Sequence, residues 1–199
     1  MKDSLDLSGF ELVLASNSPR RQQFMRELGL PFTVRVKEVD ESYPNELKEQ
    51  QITEYIAVQK AKAYQLQDIE ILITSDTLVC LDNKVLGKPS NRQEAVQMLT
   101  MLSDNTHKVI TSVCFTSNKS QQVFSEVTEV VFSELTPYMI AYYVDNYSPL
   151  DKAGAYGIQE WIGLVGVKSI RGSYTNVVGF PTEKFYRQLK EFICLNQPF

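Results

Sequence analysis

Leu12-Val13-Leu14-Ala15-Ser16-Asn17-Ser18-Pro19-Arg20-Arg21-Gln22-Gln23-Phe24-Met25 reads as a strand, a turn and a helix in that order. Leu12 to Ala15 is a short apolar run of strand type, and Ser16 to Ser18 carry turn chemistry. Ser18 is a natural N-cap and Pro19 a natural first helical residue. Phe24, Met25 and Leu28 mark the buried face of the helix, and Gly29 sits where it stops.

The charges of this stretch do not suit an isolated helix. Arg20 and Arg21 fall in the first turn, where the macrodipole is already positive. A carboxylate there gains roughly 0.3–1 kcal/mol, so a cation loses something comparable. The unpaired backbone N–H groups at the same point also need an acceptor. An anion at the helix start relieves all three, which makes the segment a candidate phosphate site. The alternative is that both arginines are solvated or paired with surface acids.

Working outward, the chain has 199 residues, enough for one α/β domain across residues 1–199 with a sizeable core. It is 43% hydrophobic and 22% charged, in the ordinary range for a globular protein. The net charge of −4, with no long basic run, argues against broad nucleic-acid binding. Any anionic ligand has to be caught by locally focused cations. The three cysteines, Cys80, Cys114 and Cys194, are far apart and in apolar contexts, which predicts core packing in a reducing cytoplasm. No signal peptide is visible in Met1 to Gly9, and no apolar run reaches membrane-spanning length.

Beyond the first helix, Pro31 to Val36 alternates and reads as a strand, followed by the acidic loop Lys37 to Pro44. Clustered carboxylates such as Asp40 and Glu41 either hold Mg²⁺ or are simply solvated. Ile52 to Gln67 is helical in composition, with Ile52, Ile56, Lys60 and Tyr64 on one stripe. Lys60 therefore points inward and either snorkels to water or reaches a buried anion. Ile69 to Leu81 is a buried strand region with Asp76 in its middle. A buried carboxylate has to be paired, metal-bound or neutral, unless it accepts backbone N–H groups at a bulge. Asp82-Asn83 predicts a tight hairpin turn. Lys88 follows in the short Gly87-Lys88-Pro89 loop, and Ser90 to Gln93 fits a capping box ahead of a helix through Leu102.

Val109 to Thr116 and Val123 to Phe132 alternate as two strands of a hairpin turning near Asn118-Lys119. His107, the single histidine, has no partner at metal-ligand spacing and reads as structural or as a support behind the site residues. Thr136-Pro137 opens a helix to about Asp145. Tyr147 to Gln159 is irregular, with two glycines and a salt-capable pair, Asp151 and Lys152, and suits a ligand loop. Trp161 to Ile170 reads as a strand, Gly172 to Gly179 as a second polar loop, and Glu183 to Cys194 as a closing helix with Phe185, Leu189, Phe192 and Ile193 inward.

Taken in order, these motifs resemble the Maf proteins, a family of nucleoside triphosphate pyrophosphatases. The resemblance rests on Leu14 to Arg21, Lys60-Ala61, Asp76-Thr77, Leu86 to Pro89, Leu102-Ser103 with Thr106-His107, Asp151 to Gln159, and Gly172 to Tyr174 with Asn176 to Gly179. It covers nearly the whole chain. The Asp151 to Gln159 block is similar to the branch acting on dTTP and UTP. Tyr55, Asp104, Glu160-Trp161 and Phe180-Pro181-Thr182 depart from the family pattern.

The resemblance implies an elongated, mixed, twisted sheet flanked by helices, in two lobes with a central cleft, as in Maf and ITPase-like proteins. It implies Asp76 as proton acceptor, with Glu41 and Lys88 also catalytic, and Ser16, Arg20, Arg21, Lys60, Thr77 and Gln159 binding substrate. Arg20, Thr77 and Gln159 would set base preference, and Glu41 and Asp76 would hold a divalent cation, Mg²⁺ or Mn²⁺. The implied partner is a nucleotide, with no nucleic acid or membrane, and the implied assembly is a cytoplasmic homodimer. Two other readings stay open at this stage. One is a pyrophosphatase for purine or 7-methylguanosine triphosphates; the other is a nucleotide-binding regulator of cell division independent of hydrolysis.

Overall fold

The computed structural model describes residues 5–7 and 9–197. Its strands are β1 (Glu11–Leu14), β2 (Phe32–Val34), β3 (Glu70–Leu81), β4 (Lys84–Leu86), β5 (Thr106–Thr116), β6 (Gln121–Phe132) and β7 (Val167–Arg171). Its helices are α1 (Pro19–Glu27), α2 (Gln50–Lys62), α3 (Arg92–Leu102), α4 (Pro137–Tyr147), α5 (Trp161–Gly166), α6 (Tyr174–Val177) and α7 (Thr182–Asn196). The strands form one seven-stranded mixed sheet in the order β2-β1-β3-β5-β6-β7, with β4 paired to β3. β1 runs parallel to both β2 and β3, whereas β3–β4 and β6–β7 are antiparallel. The expected α/β class and mixed sheet are observed.

The chain divides into two compact units. The first holds residues 1–76, 111–126 and 179–199. Its strands alternate between two covered faces, as a period of two requires. Leu12, Leu14, Ile71 and Ile73 pack with Met25 of α1 and with Phe185, Leu189 and Phe192 of α7. Val13, Leu72 and Cys114 face the other way, onto Ala57 and Ala61 of α2. A strand covered on both faces needs apolar runs, and β3 has two, at residues 71–73 and 78–81, on either side of the polar residues 74–77. The second unit holds residues 77–110 and 127–178. Ala95, Leu99 and Leu102 of α3 pack with Ile140, Tyr143 and Val144 of α4 and with Val109, Val130, Tyr156 and Ile162.

Several local expectations need correction. The cap of α3 is Asn91, whose side chain accepts the Glu94 N–H at 2.9 Å, while the Glu94 carboxylate accepts the Ser90 N–H at 2.7 Å. The box is therefore displaced by one residue from Ser90–Gln93, with Asn91 as the cap and the Glu94 carboxylate, the stronger acceptor, taking the amide ahead of it. The strand at Pro31 to Val36 shortens to Phe32–Val34, and the helix after Ile52 ends at Lys62 instead of Gln67.

Residues 161–166 form helix α5, and only Val167–Arg171 pair as a strand. A branched apolar run fits either state in sequence. The helix forms because the Glu160 carbonyl accepts the Gly163 N–H at 2.9 Å, a closure open only to glycine. A Cβ on Gly163 would lie 1.8 Å from the Ile158 carbonyl oxygen. Cys80 and Cys114 are buried free thiols as expected, but Cys194 is exposed, on the outer side of α7.

Candidate functional site

The strand-to-helix junction folds around two hydroxyls. Ser18 caps α1, its Oγ accepting the Arg21 N–H at 3.4 Å. Ser16 Oγ accepts the Ser18 N–H at 3.2 Å and Arg21 Nη1 at 3.4 Å. Main-chain carbonyls hold Arg21 in place. Its Nη1 donates to the Ser75 carbonyl at 3.0 Å and its Nε to the Gly179 carbonyl at 3.1 Å. Burial lowers the Arg21 pKa, opposed by the charge of Asp76, while Arg20 acts in the same direction as burial and Glu41 against it. The guanidinium remains charged at any ordinary pH.

Lys60 is the centre of the group. It lies on the inward stripe of α2, and its Nζ is 2.9 Å from Asp76 Oδ1 and 2.9 Å from Glu41 Oε1. It also approaches the Ser75 carbonyl at 3.4 Å. Of the two outcomes open from sequence, Lys60 takes the buried anion. The Asp76 and Lys60 side chains are only 11% and 17% exposed, while Glu41 reaches in from a loop with 51% of its side chain exposed. That loop is shaped by Asp40, which accepts both the N–H and the hydroxyl of Ser42 at 2.9 and 2.8 Å. These two bonds favour the ionised carboxyl and hold the Asp40 pKa below its ordinary value.

One ammonium between two carboxylates marks a place where positive charge is stable. Hard carboxylate oxygens on either side of it fit Mg²⁺ or Mn²⁺ completed by water and phosphate oxygens. Among the described residues no group of three or more His, Cys, Asp or Glu could form a closed protein cage.

The first unit thus brings together Ser16, Arg21, Glu41, Lys60 and Asp76, with Arg20 next to Arg21 on α1. Thr77, Lys88 and Gln159 belong to the second unit. Thr77 continues β3 and is half-buried, and Lys88 and Gln159 are exposed. His107 is structural in its setting. It is buried, with Nε2 2.8 Å from the Tyr156 hydroxyl and its ring edge-on to Phe132. Burial lowers its pKa from 6.5 to about 4, so the ring is neutral at pH 7.

Sequence reading overlooked the Gly179 carbonyl that holds Arg21, which has no side-chain signal at all. It also overlooked Tyr143. That residue sits among Ile140 and Val144 on the buried face of α4, where a tyrosine hydroxyl has to find a partner.

Residues 11–192 match the family model described as Maf-like protein. The chain belongs to the Maf family. A Flavobacterium johnsoniae protein named dTTP/UTP pyrophosphatase is 50% identical to this Maf chain over 189 residues, covering 94% of it and 97% of the relative. A Bacteroides fragilis protein of the same name is 52% identical over 189 residues, covering 94% and 98%. Among solved structures, a HAM1 protein from Coxiella burnetii aligns with a TM-score of 0.51 at 17% identity, over 92% of this chain and 99% of that one. The Staphylococcus aureus Ham1 protein aligns with a TM-score of 0.50 at 14% identity, over 92% and 97%. Those two likenesses concern the fold.

Proposed function

We propose that this Maf protein hydrolyses dTTP and UTP to the monophosphate and pyrophosphate. The names of its relatives at about half identity support the substrate class. The observation that carries the chemistry is the Lys60 ammonium held 2.9 Å from both Asp76 and Glu41, beside the anchored Arg21.

In this reading the oxygen of a water attacks the α-phosphorus and the bond to the bridging oxygen breaks. Pyrophosphate leaves, and Asp76 takes the proton of the attacking water. Arg21, Lys60 and Lys88 neutralise the charge on the departing phosphates, and Ser16 and Arg20 help to seat them. The Ser75 and Gly179 carbonyls hold Arg21 in place before substrate arrives, so little reorganisation is left for the reaction. Glu41 and Asp76 would hold a divalent cation, Mg²⁺ or Mn²⁺, which supplies further charge neutralisation for the phosphates. Arg20, Thr77 and Gln159 select the base. The Gln159 amide offers a donor and an acceptor together, matching the acceptor and donor of a uracil or thymine imide edge. A cytoplasmic homodimer is the remaining expectation of the family resemblance, checked by light scattering.

The test is product analysis with dTTP, UTP, CTP and the purine triphosphates, with and without Mg²⁺ or Mn²⁺. Pyrophosphate release from dTTP and UTP ahead of the others is the expected result. Release of orthophosphate, or a preference for purines, overturns the reading.

A further inference from the structure

Gln159 stands at the tip of a tight turn that is held with unusual thoroughness. The Glu160 N–H donates to the Gly157 carbonyl at 3.0 Å, closing a turn with Ile158 and Gln159 at its centre. One hydroxyl then grips both ends. Tyr143 Oη accepts the Gly157 N–H at 2.9 Å and donates to Glu160 Oε2. Burial, with the hydrogen bond to Glu160 second, pushes the Tyr143 pKa up, so the phenol keeps the proton it donates. The other carboxylate oxygen, Glu160 Oε1, is 3.2 Å from Lys152 Nζ, which is itself 2.6 Å from Asp151.

Gly157 makes the arrangement possible. A Cβ there would lie 2.8 Å from the Glu160 carboxyl carbon, so a larger residue would push that carboxylate aside. Ile158 is buried, which fixes the turn from below and leaves Gln159 exposed above it.

We propose that Tyr143 and Glu160 are positioning residues for base selection, clasping the 157–160 turn so that the Gln159 amide meets the imide edge of the pyrimidine in one orientation. The inference rests on the reading of Gln159 given above. It predicts that slackening the clasp weakens discrimination between UTP and CTP, whose edges differ in donor and acceptor order, without slowing the chemical step.

Tyr143→Phe removes the gripping hydroxyl. It should raise the KM for UTP about tenfold and lower the UTP-to-CTP ratio of kcat/KM by a similar factor, with kcat nearly unchanged. In a Gln159→Ala background the same substitution should change the ratio by less than about twofold, since a residue acting through Gln159 has nothing left to position. Glu160→Ala should reproduce the loss, and Glu160→Gln, which can still accept from Tyr143, should restore most of it. Should Tyr143→Phe fail to fold, the Glu160 pair alone decides.

An unchanged ratio in Tyr143→Phe, or an equal loss with and without Gln159, overturns the inference while leaving the pyrophosphatase reading intact. A wild-type protein that releases no pyrophosphate from any triphosphate overturns the reading and the inference together.

Discussion

Two lysines in this chain do the same thing in different company. Lys60 in the first unit and Lys152 in the second each bridge a recessed carboxylate and a solvent-facing one: Asp76 and Glu41 for Lys60, Glu160 and Asp151 for Lys152. Around Lys152 the network closes. Both oxygens of Glu160 are engaged, one by the lysine and one by the Tyr143 hydroxyl, and a main-chain amide completes it. Around Lys60 the neighbours are a second cation, Arg21, and the Ser75 carbonyl that both cations share. A closed network rigidifies, whereas two cations gathered side by side focus positive potential that draws an anion. The difference separates a lysine that holds a turn from one that handles a ligand.

The comparison is most easily broken at Asp76. Asp76→Asn should lower turnover about a thousandfold while nucleotide affinity persists, measured by pyrophosphate release and by calorimetry. Wild-type turnover in that variant removes the carboxylate from the role of base. The lysines themselves should differ in turnover. Lys152→Met should cost about 2 kcal/mol of stability in chemical denaturation, since it leaves half-buried Glu160 without its cation, and most of the turnover should persist. Lys60→Met should cost a similar amount, about 2 kcal/mol, since Asp76 is recessed and only Glu41 can rehydrate, yet it should remove most of the turnover. Equal losses of turnover would erase the distinction.

Acid sharpens the contrast from within the second unit. His107 is held neutral with a pKa of about 4, below its unfolded value near 6.5. Between those values the unfolded chain binds the extra proton, so stability is full above pH 6.5 and declines as pH falls towards 4. The loss is about 3 kcal/mol. His107→Gln should flatten this dependence, read from the fluorescence of Trp161, the single tryptophan, which lies in the same unit. The smallest effect compares how each unit opens a helix. Ser18→Ala and Asn91→Ala should each cost about 1 kcal/mol, with Ser90→Ala close to neutral. A larger cost at Ser90 than at Asn91 would return the cap of α3 to the residue first expected from sequence.

Much of the fold was legible because its signals are local. Ser18-Pro19 named a helix start, β3 named itself by two apolar runs around a polar centre, and α7 by Phe185, Leu189 and Phe192 at helical spacing. Where packing outranked pattern, reading failed. The run after Glu160 has strand composition, but the approach of Gly163 to Ile158 winds it into α5. The candidate site was legible in the same uneven way. The misplaced arginines and the acid within β3 were conspicuous as broken local rules. The grip of Ser75 and Gly179 on Arg21 was not, since any residue carries a carbonyl.

The sequence alone determined the alternation of strands and helices, the inward stripe that carries Lys60, and the motifs shared with the Maf family, all of which are written within a few turns of chain. Only tertiary structure decided that Lys60 turns to Asp76 and Glu41 instead of to water, and that one tyrosine hydroxyl clasps the turn under Gln159. Both depend on groups distant in the chain meeting in a partly dehydrated place, where an unpaired charge or hydroxyl is too costly to leave alone.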